Sequence, residues 1–159
     1  MDSRELTRIA SLHLHTRPHF GGCVAADCLP MTIPSYPIFY ICNSDEWYRR
    51  GTHWLLIMFR SPTDPPEFFD SFGRHPSYYN KLIEDYLIAK ATDKGYLMST
   101  RQVQPNYSSY CGYYCLTVAD YFSQGYTLPN IVTLFDATHL SVNDRLVHAY
   151  VNTHMKRNR

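Results

Sequence analysis

The hydrophobic and polar positions of this chain change period several times, and each change predicts an element. The opening "DSRELTRIASLH" carries Leu6, Ile9, Ala10 and His13 at i, i+3, i+4, i+7 spacing behind an Asp2/Ser3 cap, which predicts a short amphipathic helix. Residues 19–37 contain five prolines or glycines, too frequent a punctuation for a helix, and this region reads as loop. "PIFYIC" and "HWLLIMFR" are β-branched and aromatic runs of strand length. "EFFDSF" follows after "SPTDPP", whose Pro and Asp residues suit a tight turn. Adjacent antiparallel strands are expected. Helical spacing returns in "YYNKLIEDYLIAKA", with Leu82, Ile83, Tyr86 and Leu87 on one face, and in "CGYYCLTVADYF", with Cys115, Leu116, Ala119 and Phe122. "SVNDRLVHAYV" sets Ser141 and Asp144 at capping-box spacing ahead of Leu146, Val147, Tyr150 and Val151. Helix, loop, strands and then helices make an α+β domain.

Composition narrows the class. A chain of 159 residues is long enough to bury about 70% of its unfolded surface, so one domain with a real core is expected over residues 1–159. The longest apolar run, "WLLIMF", falls far short of the roughly 20 residues of a membrane helix, so a soluble protein without a membrane partner is expected. Five cysteines, Cys23, Cys28, Cys42, Cys111 and Cys115, with no signal-like apolar start, suggest reduced thiols in a cytosolic, nuclear or virion compartment. A net charge of +1 gives no electrostatic case for a dedicated nucleic-acid binder. The basic tail "HMKRNR" and the pair Arg49 and Arg50 read as solvated surface.

Candidate chemistry centres on Cys111, which stands where the polar loop "RQVQPNYSSY" becomes an apolar helix. Unpaired N–H groups at a helix start carry partial positive charge and favour a thiolate. A thiolate nucleophile also needs an imidazole to hold its proton and a third group to orient that imidazole. His53 lies at the head of one strand and Asp70 at the end of the next, so a hairpin through "SPTDPP" would bring them to one end of the sheet. An uncharged amide near the nucleophile would complete an oxyanion hole with the Cys111 N–H; Gln104 and its neighbour Gln102 both offer one. Cys115, one turn further along, continues the apolar face and reads as core. The ligand-type residues His13, His15, His19, Cys23 and Cys28 are irregularly spaced for a structural zinc site, and no metal is expected from them.

"THW", "FFDSFG" and "VQPNYSSYCG", in that order, resemble the adenovirus-type cysteine protease (adenain) family, related in fold to the ubiquitin-like-protein (SUMO) proteases. The resemblance spans residues 19–122 and implies a papain-like, adenain-like fold: a central mixed or antiparallel sheet flanked by helices, with the nucleophile at a helix N-terminus. It implies Cys111 as nucleophile, His53 as base, Asp70 as orienting acid and Gln104, preferred to Gln102 by its interval, as oxyanion donor. Gly21 and Gly22 would border the substrate cleft as points of close backbone approach. Trp54, beside the base, reads either as simple core or as a shield of the ion pair from water, and it joins the two glycines as a substrate-binding candidate. The implied activity is a viral or virus-derived, monomeric endopeptidase of the host nucleus, cytoplasm or virion, cutting precursor proteins at Gly-containing sites. It needs no cofactor for its chemistry. Adenoviral enzymes use an activating peptide and DNA, but the cysteine that tethers their peptide is replaced here by Asp93. An Asp as third member is usual in the SUMO proteases, which keeps release of ubiquitin-like modifiers as an alternative. A catalytically silent binding domain of the same fold is the other.

Overall fold

The computed structural model describes residues 1–157, so the last two residues of the basic tail lie outside the described residues. The α-helices and β-strands follow in the order α1 (Ser3–Leu12), β1 (Phe20–Val24), β2 (Ile38–Asn43), β3 (Trp54–Phe59), β4 (Glu67–Phe69), α2 (Lys81–Lys90), β5 (Leu97–Met98), α3 (Cys111–Ser123), α4 (Leu128–Val132) and α5 (Leu140–Tyr150), with a 3-10 turn at Pro76–Tyr78 and a π-helical turn at Val151–Met155. The strands form one mixed sheet in the order β1-β2-β3-β4-β5. Its three central strands pair antiparallel, as the sequence predicts, while β1 on β2 and β4 on β5 pair parallel. The architecture is α+β.

Period-2 alternation sorts the strand side chains onto two covered faces. Phe39, Ile41, Leu56, Met58 and Phe69 meet α1, α3, α4 and α5 on one side. Ile38, Tyr40, Cys42, Leu55, Ile57, Phe59 and Phe68 meet Ile83 and Leu87 of α2 on the other. Burial on both faces explains why "IFYIC" and "WLLIMF" are continuous apolar runs. Leu56 lies at the centre, paired with Ile41 and Phe69 and wholly buried. Leu56→Ala is therefore expected to destabilise the fold by about 2–5 kcal/mol, read as a fall in the chemical-denaturation midpoint at unchanged slope.

Four expectations need correction. The predicted loop over residues 19–37 contains β1, because a parallel partner strand supplies backbone bonds that Gly-rich sequence cannot advertise. A Cβ on Gly21 would come within 2.4 Å of the Tyr40 ring, and Gly22 sits at the register shift with φ +142°, a conformation that favours glycine. Leu82 is 43% exposed, leaving Ile83 and Leu87 to anchor α2. The Ser141/Asp144 capping box does not form: α5 begins at Leu140, Asp136 accepts from the N–H groups of Thr138 and His139, and Asp144 turns inward to Tyr114 and Ser108. The basic tail is not all solvated surface, since Met155 is buried and Lys156 pairs with Glu5 at 2.9 Å. Among the described residues no helix is long and apolar enough to cross a membrane.

Candidate active site

The antiparallel register does the first work of assembly. Pairing of Leu56 with Phe69 and Met58 with Glu67 puts the residues just before β3 opposite those just after β4. His53 and Asp70 occupy those two positions, and His53 Nε2 lies 2.7 Å from Asp70 Oδ1. On its other side the imidazole hydrogen-bonds to the side chain of Cys111, the first residue of α3. With Nε2 on the carboxylate, Nδ1 is the nitrogen left to the sulfur.

Each residue of "DSFG" has a separate task in holding this arrangement. Asp70 is fully buried and accepts four hydrogen bonds: from His53, from the Phe72 and Arg74 N–H groups, and from the Tyr79 hydroxyl at 2.6 Å. Ser71 accepts the N–H groups of Val103 and Gln104 on its carbonyl, and its hydroxyl donates to Gln104 Oε1. Phe72 stacks on the His53 ring with centroids 5.0 Å apart, and Tyr79 stacks on it at the same distance. Gly73 turns the chain at φ +69°, where a Cβ would press to 2.6 Å from the Thr100 carbonyl. The imidazole is thus held between two aromatic rings whose π-faces favour its cationic form. Phe72 and Tyr79 are the site residues that sequence reasoning missed. Phe72 could have been found from the hairpin register, which sets it opposite His53; Tyr79 carries no comparable signal.

Electrostatics follow this geometry. Burial alone would lower the His53 pKa, but bonds to Asp70 and Cys111 and the charges of both outweigh it and raise it to about 9. Burial would likewise push the Cys111 thiol up. The bond and charge of His53, with the Trp54 and Gly112 N–H groups at the sulfur, overcome this and hold the thiol below its ordinary value. Asp70 is held low in the same manner: burial opposes, while His53, the Tyr79 hydroxyl and the Arg74 N–H prevail. The three directions agree on a thiolate, an imidazolium and a carboxylate. Tyr110, which caps α3, makes no side-chain bond to the helix end, so the first N–H groups stay available to negative charge at Cys111.

The remaining predicted residues are placed as follows. Gln104 is fully buried, and its Nε2 donates to the carbonyl (3.0 Å) and hydroxyl (3.1 Å) of Ser108, three residues before Cys111. Gln102 is spent on its own loop, donating to the Gln104 carbonyl and to Asn106. Cys115 is buried in the core beneath the sheet, and burial pushes its thiol well above the ordinary value. Trp54 is half-buried; its indole donates to the Met1 carbonyl at 3.1 Å, and it borders a groove of about 230 Å³ with Cys23, Asn43, Glu46, Trp47 and Arg49. Gly21 and Gly22 belong to β1, whose later residues Cys23 and Val24 line that groove. The close approach at Gly21 is to Tyr40. Of the cysteine- and histidine-rich N-terminal segment, His13 and His15 meet each other and Asp120, away from His19, Cys23 and Cys28.

No protein-family model matches the chain, and no curated protein does. Among solved structures, it is similar to the crystal structure of the ASFV pS273R protease, at 16% identity and a TM-score of 0.47 over 78% of this chain and 44% of that one. It is similar too to the selenomethionine form of that protease, at 17% identity and a TM-score of 0.46 over 77% and 45%. The chain spans less than half the length of the protease chains that it matches.

Proposed function

We propose that this chain is a cysteine endopeptidase in which Cys111, His53 and Asp70 act as one catalytic unit. The observation that carries the reading is the position of His53, bonded through Nε2 to buried Asp70 and on its other side to a cysteine at the start of a helix. The Cys111 thiolate attacks the scissile carbonyl carbon, and the carbonyl oxygen takes the negative charge. His53 then gives its proton to the departing amine, leaving an acyl-thioester. Water attacks the thioester while His53 takes its proton, and the acid product leaves with Cys111 restored as the thiolate.

Oxyanion stabilisation is assigned to the Cys111 backbone N–H and to Gln104 Nε2. Gln104 Nε2 donates to the Ser108 carbonyl and hydroxyl in this structure, so in this assignment one of those two bonds is exchanged for the developing charge. Gln104→Ala is expected to lower turnover by about 100 to 1000-fold while leaving substrate binding nearly unchanged, measured as kcat against KM.

The substrates are polypeptides, and the resemblance to adenain-type proteases favours Gly-containing cleavage sites in viral precursor proteins. Trp54 and the groove beside it, with the Gly21–Gly22 segment of β1 behind, are assigned to substrate binding. The test is a peptide library incubated with the chain: cleavage next to Gly after an apolar residue is expected, and no turnover of any Gly-containing peptide would overturn this specificity. Asp70 as the acid favours a second reading, release of ubiquitin-like modifiers. Covalent capture of Cys111 by a modifier carrying a C-terminal electrophile would select it.

A further inference from the structure

The pair "HLH" has no part in the proposed catalytic unit, yet the fold builds a site around it. His13 caps α1, and the turn after it is pinned by the Thr16 hydroxyl on the Ala10 carbonyl at 2.7 Å. This turn aims two imidazoles at Asp120, a buried residue of α3. His13 Nε2 lies 3.1 Å, and His15 Nδ1 3.0 Å, from the same oxygen, Asp120 Oδ1. The other carboxylate oxygen is held by the Tyr150 hydroxyl at the end of α5. Two chain segments far apart in sequence therefore deliver two nitrogens and one oxygen to a single point, all within 4.8 Å of one another.

Charge makes this cluster more than a hydrogen-bond network. Asp120 is 1% exposed and His13 3%, and among the described residues Asp120 forms ion pairs with the two histidines and with no Lys or Arg. A buried carboxylate is costly unless positive charge stands beside it. A divalent cation supplies it. Zinc bound by nitrogen and oxygen at about 2.0–2.2 Å in a tetrahedron sets neighbouring donors roughly 3.3 Å apart, close to the 3.1 and 3.0 Å that separate the two imidazole nitrogens from Asp120 Oδ1. The His15 side chain is 41% exposed, which gives the metal an entry path and leaves room for water as the fourth ligand. Tyr150 would orient the carboxylate from behind, as partners of metal ligands do.

We propose that His13 Nε2, His15 Nδ1 and Asp120 Oδ1 form a structural zinc site that fastens the turn after α1 to α3. The site is independent of the catalytic assignment. Its test uses the Cys111→Ala chain, which removes the thiolate most able to compete for metal. Equilibrium dialysis with zinc alone is expected to give one bound ion per chain, with a rise in Tm. Cobalt in its place should show tetrahedral visible bands without the near-ultraviolet absorption of a cobalt–thiolate bond. His15→Ala, a change at the exposed member that the fold should tolerate, is expected to weaken binding roughly 100-fold or more and to abolish the Tm rise; Tyr150→Phe should weaken it about 10 to 100-fold. Absence of bound zinc in the Cys111→Ala chain would overturn the proposal. So would equal zinc affinity with and without His15→Ala, or a thiolate–cobalt band.

Discussion

Cys111→Ala is expected to leave no measurable peptide turnover, a loss of roughly 10⁴-fold or more, with the fold intact. The change removes one sulfur from an 8% exposed position at a helix start, so little packing goes with it. Cys115→Ala separates chemistry from packing. That sulfur lies one helical turn further on, 1% exposed in the core, with its thiol pushed well above the ordinary value. Its removal should lower stability by leaving a small cavity and should leave turnover per folded molecule within a few-fold. Reversal of these outcomes, with Cys115 essential and Cys111 dispensable, would move the nucleophile.

His53→Ala should be nearly as severe, on the order of 10⁴-fold, because the ring serves twice, as the charge that stabilises the thiolate and as the donor to the leaving amine. The pH dependence carries the sign. Cys111 sits below its ordinary value and His53 at about 9, so the ion pair exists between them. Activity should fall as pH drops through the depressed thiol value, where the thiolate is protonated. It should fall again as pH rises through about 9, where the imidazolium loses the proton needed by the leaving group. The two limbs belong to the coupled pair rather than to either residue alone.

How much of this was legible in the sequence depended on how local each feature is. The hairpin that joins His53 to Asp70 could be read because both strands and their turn lie within one short stretch, and strand ends fix which residues meet. Cys111 could be read because a helix start is a local event. β1 could not, since its bonds come from a parallel partner across a long connection and its own residues say Gly and loop. Asp144 misled for a related reason: its spacing matched a cap, but two hydroxyls, those of buried Tyr114 and of Ser108, claim it. Phe72 was within reach of the hairpin register, which sets it opposite His53, whereas Tyr79 looked like any aromatic residue beyond a strand and only the three-dimensional structure reveals it stacked on the base. Asp120 sits within an apolar helix whose sequence reads as a packed face, and nothing along the chain announces that His13 and His15 converge on it.

The rate of Cys111 alkylation by iodoacetamide, followed against pH in the wild-type chain and in His53→Ala, tests the central claim most directly, because it reads the thiolate without any substrate. The wild-type profile is expected to extend well below that of an ordinary thiol, whose pKa is near 8.5. In His53→Ala it should move up to that value or beyond, since burial then acts on the sulfur without the imidazolium to oppose it. Identical profiles in the two proteins would contradict the ion pair, and the catalytic assignment would fall with it.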